Sequence, residues 1–222
     1  MPDACERELA RLPFWGDLSA DERESVRRGS ETRLCRRGDY ILSDQAACPG
    51  MIFPLSGELR AFFLSEEGRE ITLFSRAAGE TCVLSAACVL DELTFETHLQ
   101  AQSDAELLIV SAPTFRRLTQ ENLHVRCFAY ERVADSFSAV VRTLQDILFK
   151  RFDQRLSSFL LAQCEQTGTL EVHMTHEQIA QQINTAREVV ARMLKRFAAD
   201  GLLTAGRGVI RIRDTEALRA LL

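Results

Sequence analysis

The sequence predicts an α+β chain in three parts: an antiparallel β-roll, a long helix, and a winged helix-turn-helix. Three observations carry this expectation. Between residues 40 and 110, short apolar runs alternate with glycine-centred turns. From residue 122 to 150 there is neither Gly nor Pro. Residues 174–192, MTHEQIAQQINTAREVVAR, read as two short helices joined by a tight turn. The parts are expected at residues 1–121 (helical openings and roll), 122–149 (long helix) and 150–222 (winged helix-turn-helix).

Two short helices, at 6–12 and 20–28, are expected to open the chain. The strand runs follow: Tyr40-Ile-Leu, Met51-Ile-Phe, Leu59-Arg-Ala-Phe-Phe-Leu, Ile71-Thr-Leu-Phe and Glu106-Leu-Leu-Ile-Val. Turn residues separate them at Gly38-Asp39, Pro49-Gly50, Ser56-Gly57, Glu67-Gly68 and Gly79. Brief strands with regular turns suit a small barrel or roll. In the Gly- and Pro-free stretch, Tyr130, Val133, Phe137, Val140, Leu144 and Ile147 fall at alternating spacings of three and four. That seam pairs two copies of the chain, or packs on its own roll. Pairing would set two copies of the C-terminal helix pair in a symmetric arrangement.

The paired helices carry the chemistry. Thr175 with Gln178, and Thr185 with Glu188, each fit a capping box. Ile179, Ile183, Val190 and Met193 supply inward contacts, Ala180 allows a close crossing, and Asn184 suits a left-handed turn position. The second helix, expected from 185 to 200, turns Val190, Met193, Leu194 and Phe197 inward. Arg187, Glu188 and Arg192 are then left outward. Arg donates a bidentate pair to guanine and Glu accepts from the cytosine amino group, so these three are expected to read bases. Lys195 and Arg196 are placed for phosphates, with Thr185 adding a hydroxyl. Two short strands around Gly206 and Gly208 follow as the wing.

Composition sets the outer bounds. The 222 residues are 46% hydrophobic, enough for more than one core. The net charge of -5 seems wrong for a nucleic-acid partner until it is divided. Residues 150–222 hold 11 Lys and Arg against 8 Asp and Glu; residues 1–149 hold 16 against 24. The basic excess therefore lies with the helix pair, and it is modest, so specific contacts and dimer geometry must add to phosphate attraction. No apolar run suggests a membrane span or secretory signal, and seven cysteines suit a reducing compartment better than a disulfide framework, so a cytoplasmic location is expected. No Walker loop, nucleophile elbow or zinc-protease pair is present, which leaves no catalytic residue to name. His173 and His176 lack a Cys or carboxylate at ligand spacing and are expected to serve the surface or a cap; His98 and His124 stand alone, and no metal site is expected.

Arg37-Gly-Asp-Tyr-Ile41, Ser56-Gly57, Gly79-Glu80, Thr175-His-Glu-Gln-Ile-Ala180 and Arg187-Glu-Val-Val-Ala-Arg192 together resemble the CRP/FNR regulators, named for the cAMP receptor protein and the fumarate and nitrate reduction regulator. The resemblance covers nearly the whole chain. It implies a cyclic-nucleotide-binding-like jelly roll that senses a signal, a helix that dimerises and relays it, and a winged helix that binds promoter DNA. RNA polymerase is implied as a further partner. The Arg-Glu-x-x-x-Arg spacing matches the base-reading residues of the cAMP receptor branch, implying a G-containing, near-palindromic site.

The same resemblance argues against cAMP as the effector. Where cAMP-binding members carry an Arg and a hydroxyl for the cyclic phosphate, the matching positions are Phe95 and Glu96. The effector pocket is expected around Gly79, Glu80, Cys82 and Cys88. Those cysteines could be buried apolar side chains, redox-sensing thiols, or metal or haem ligands; the family's haem-binding carbon-monoxide sensors have a histidine two residues beyond the ligand cysteine, and here Leu84 stands there. The cofactor, and with it the signal, stays open among a small molecule, a redox event and a bound cofactor. Two other functions stand beside the regulator at this level: a metabolite-sensing interaction module that does not bind DNA, and a thiol redox enzyme.

Overall fold

The structure is a computed structural model that describes residues 4–42, 49–68, 70–80 and 97–222, with side chains from Arg7 onward. The chain divides into two compact units, one of residues 1–69 and 73–141 and the other of residues 142–222 with 70–72, so that a boundary falls inside the long helix. Each is built around its own core.

The first unit begins with helices α1 (Ala4–Leu9) and α2 (Ala20–Arg28). The first expected helix thus starts and ends earlier than residues 6–12, because the chain turns after Leu9 to bury Leu12 and Phe14. A capping box opens α2: the Ser19 hydroxyl accepts the Glu22 N–H and the Glu22 carboxylate accepts the Ser19 N–H. Strands β1 (Ser30–Cys35), β7 (Ala105–Ser111) and β3 (Gly50–Ser56) form one antiparallel sheet in the order β1-β7-β3. Strands β2 (Tyr40–Leu42), β6 (His98–Ala101), β4 (Glu58–Leu64) and β5 (Glu70–Ala77) form the other, in that order.

Strand alternation explains why β3 and β7 read as unbroken apolar runs. Ile52, Leu107 and Ile109 point into the roll with Leu59, Ala61, Leu73 and Leu99; Met51, Phe53, Leu108 and Val110 point outward under the helices, with Phe14, Val26 and Phe115. Both faces are covered, so no polar alternation survives in the sequence. Two glycines are required by geometry. Gly57 turns the chain from β3 to β4 at φ 77°, where a Cβ would meet the Asp104 carbonyl at 2.5 Å. Gly50 opens β3 at φ 128°, with its would-be Cβ at 2.0 Å from the Val110 carbonyl. Gly50 is therefore the first residue of a strand, although beside Pro49 it reads as a turn residue.

Helix α3 (Ala112–Glu121), opened by Ser111 and Pro113, leads into α4 (Leu123–Phe149), 27 residues long as the absence of Gly and Pro predicts. Val125, Ala129 and Ser136 of α4 are buried, and Val133 packs on the core beneath the helices.

The second unit is the winged helix. Helices α5 (Phe152–Thr167), α6 (His176–Gln182), α7 (Arg187–Ala199) and α8 (Thr215–Arg219) pack with a small antiparallel sheet, β8 (Glu171–Val172), β10 (Val209–Ile212) and β9 (Leu203–Gly206). Their shared core holds Leu156, Leu160, Ile179, Val190, Leu194, Phe197, Leu203 and Ile210. The Glu171 carboxylate ties β8 to β10 by accepting from Arg211 Nε at 2.8 Å, and that bond, with the guanidinium charge, holds its pKa below the usual range.

Candidate nucleic-acid interface

The interface is set by how α6 hands over to α7. At the start of α6 the expected box is complete: the Thr175 hydroxyl accepts the Gln178 N–H at 3.2 Å, and Gln178 Oε1 accepts the Thr175 N–H at 2.8 Å. Ile179 and Ala180 are buried, and Asn184 takes the left-handed turn position at φ 55°.

The second expected box does not form. Helix α7 starts at Arg187 with Ala186 as its N-cap, and no side chain caps it. The reason is the turn itself: the Thr185 N–H is used to close it on the Ala180 carbonyl at 3.0 Å, so the helix begins two residues later than residue 185.

Along α7 the two faces separate cleanly. Val190, Leu194 and Phe197 are buried, with Met193 packed beside them. Arg187, Glu188, Arg192 and Lys195 are exposed, and at 3.6 residues per turn they span an arc of about 140° on the opposite side. Among the described residues, none of these four side chains has a hydrogen-bond or ion-pair partner. Arg196 is exposed but pairs with Asp200, its Nε 3.7 Å from the carboxylate, and Thr185 is half-buried in the turn. A guanidinium-carboxylate-guanidinium set thus stands free on the first turns of one rigid helix, positioned by the hydrophobic face behind it.

The wing extends this surface. Strands β9 and β10 meet at Gly206-Arg207-Gly208, with Gly208 at φ 75° and Arg207 exposed. A groove of about 510 Å³ runs between this tip and the helix pair, lined by Thr175, His176, Glu177, Arg187, Gly206, Arg207 and Gly208. Arg207 and His176 belong to this surface although sequence reasoning did not assign them to it. The signal for Arg207 was present, a basic side chain between two glycines at a hairpin apex. His173 is exposed and lies 3.3 Å from the Glu171 carboxylate. His98 is buried in the first unit, stacked on Phe62 with ring centroids 5.2 Å apart.

The outward stripe of α4 is a second surface. Tyr130, Phe137 and Leu144 are exposed at seven-residue spacing, Phe137 by 70%. Cys127, Ala134, Val141 and Leu148 fill the alternate positions of the same stripe, while Val133 and Val140 lean toward the roll cores and Ile147 is half-exposed.

At the expected effector pocket, Gly79 donates its N–H to the Pro54 carbonyl at φ 84°, and Glu80 is exposed, its carboxylate accepting the Ala77 N–H at 2.9 Å. Cys82, Cys88, Leu84, Phe95 and Glu96 lie outside the described residues. Of the described thiols, Cys35 and Cys164 are buried, and burial raises both above the ordinary thiol range. No helix is long and apolar enough to cross a membrane, and no group of three metal-ligating side chains comes together, among the described residues.

A roll joined by a long helix to a winged helix-turn-helix with an exposed, unpaired polar face on its second helix defines a DNA-binding transcription regulator with an effector-type domain. Residues 32–122 match the cyclic nucleotide-binding domain family, and residues 154–221 match the Crp-like helix-turn-helix domain family. A solved transcriptional regulator of the CRP/FNR family from Eubacterium rectale is 34% identical, with a TM-score of 0.88, covering 96% of this chain and 98% of its own. The chain belongs to the CRP/FNR family of transcription regulators. The fold is shared with the c-di-GMP-responsive global regulator CLP of Xanthomonas campestris, at 18% identity and a TM-score of 0.75 over 89% of this chain and all of that one. The cAMP-activated global transcriptional regulator Vfr of Pseudomonas aeruginosa is 21% identical over 70% of this chain and 77% of its own length.

Proposed function

We propose that this regulator works as a cytoplasmic homodimer that places one α7 in each of two successive major grooves of a near-palindromic promoter site. Arg187, Glu188 and Arg192 read base edges in this scheme, and Thr185, Lys195 and Arg196 hold phosphates. The observation that carries the reading is the exposed, unpaired trio on α7. Residues 150–222 act as the DNA-binding part, 122–149 as the dimerisation helix through Tyr130, Phe137, Leu144 and Ile147, with Val133 and Val140 packed on the roll behind them, and 1–121 as the sensor. The exposed line of Tyr130, Phe137 and Leu144 supports that role for α4. RNA polymerase is the partner through which a bound dimer acts on transcription, and the protein carries out no catalysis of its own.

The signal enters through the roll near Gly79, Glu80, Cys82 and Cys88, and it is a small molecule, a redox event or a bound cofactor other than cAMP. The argument against cAMP rests on Phe95 and Glu96, which offer a ring and a carboxylate where a cyclic phosphate needs a cation. A gel-shift titration tests the DNA reading: sequence-preferring binding that weakens with salt is expected, and it collapses for the Arg187→Ala, Arg192→Ala double variant. Binding indifferent to sequence would overturn it. An optical spectrum and metal analysis of protein purified without oxygen sorts the signals, since a Soret or charge-transfer band selects a cofactor.

A further inference from the structure

We propose that the wing tip is a second reading element, with Arg207 entering the DNA minor groove beside each half-site and selecting A·T-rich flanks. The inference rests on the reading of α7 as the major-groove helix. The first argument is placement. Arg187 and Arg207 line the same groove of about 510 Å³, one from the recognition helix and the other from the hairpin apex. In a duplex, a single sugar-phosphate strand separates the major from the minor groove. With α7 in the major groove and that strand running through the channel, the tip arrives on the minor-groove side.

The second argument is width. The tip reads Ala205-Gly206-Arg207-Gly208, so Arg207 is the only side chain there larger than a methyl group. All four residues are exposed, and a Cβ added at Gly208 would meet nothing within 4 Å. A minor groove about 6 Å wide excludes a bulky hairpin but admits a glycine-flanked one. The third is charge. Arg207 has no hydrogen-bond or ion-pair partner among the described residues, so its guanidinium is available without breaking a bond. A·T-rich tracts narrow the minor groove and deepen its negative potential, which is where an inserted guanidinium gains most.

The test is selection from randomised duplexes with the full chain, its Arg207→Ala variant and its Arg187→Ala variant, followed by binding of the selected core with A·T or G·C flanks. The wild-type protein should enrich a core with A·T-rich flanks and prefer them by roughly tenfold, the scale of one good base contact. Arg207→Ala should keep the core and lose the flank preference; Arg187→Ala should blur the core and keep the flanks. Equal weakening of every site by Arg207→Ala, with the salt slope reduced by about one, would place Arg207 on a phosphate and overturn the proposal. Unchanged flank preference in that variant would also overturn it. Enrichment of no core by the wild-type protein would instead sink the reading of α7, and the wing proposal with it.

Discussion

Arg187 stands on the first turn of α7, exposed and without a partner among the described residues. Its truncation breaks no hydrogen bond or ion pair among the described residues, so the variant tests the proposed base contact directly. Arg187→Ala is expected to cost about 1–3 kcal/mol on the preferred site and to blur one base position. Competition gel shifts across single-base variants of the site check this; equal weakening of all variants would move Arg187 to the backbone. Glu58 makes the opposite case, a side chain whose charge works against its own fold. Burial, opposed by a bond from Ser75 and reinforced by the Glu80 carboxylate, raises its pKa above 4.5. A raised carboxyl stabilises the fold while protonated, and that contribution is lost as pH rises through the raised value. Glu58→Gln should accordingly raise the thermal midpoint at neutral pH and leave it unchanged in acid below 4.5. A midpoint that shifts equally at both pH values would show that charge is not the cause.

At the scale of elements, helix starts separate what sequence reveals from what it hides. The Thr175 and Gln178 box is purely local, so it is legible from residue types and forms as expected. Thr175→Ala should cost about 1 kcal/mol of stability, the usual worth of such a cap, read from the denaturant midpoint of the full chain. A loss near zero would mean water replaces the hydroxyl. Thr185 and Glu188 have the same spacing, yet the intervening turn takes the Thr185 N–H and moves the helix start to Arg187. That competition is tertiary and leaves no mark in the spacing. Strands show the same division. β3 and β4 announce themselves by apolar runs between glycine turns and β7 by its apolar run alone, whereas β1, Ser-Glu-Thr-Arg-Leu-Cys, is exposed along most of its length and carries no apolar pattern to read. It is a strand because β7 offers it a ladder from Ser30 to Cys35. The seam of α4 was legible as an apolar stripe but not as two stripes, since Val133 and Val140 are distinguished from Phe137 only by what the roll covers.

For the whole molecule, charge and symmetry work together. The basic excess of residues 150–222 is modest, so one copy has little to hold a duplex with, and two linked copies have twice the contacts at a fixed spacing. Phe137→Asp places a charge at the centre of the exposed stripe in each copy. Sedimentation should then show monomers, with operator binding weakened alongside. A variant that stays dimeric would show that the pairing surface lies elsewhere on the molecule.

Helix α4 is occupied along its inner side, where Val125, Ala129 and Ser136 sit buried, while Tyr130, Phe137 and Leu144 crown the outer side. A rod keyed in this way cannot roll about its long axis: any twist that withdrew the outer crown would first drag Val125 and Ala129 out of their sockets. Sliding along the axis would unseat the same two side chains, which leaves bending as the motion that keeps them buried.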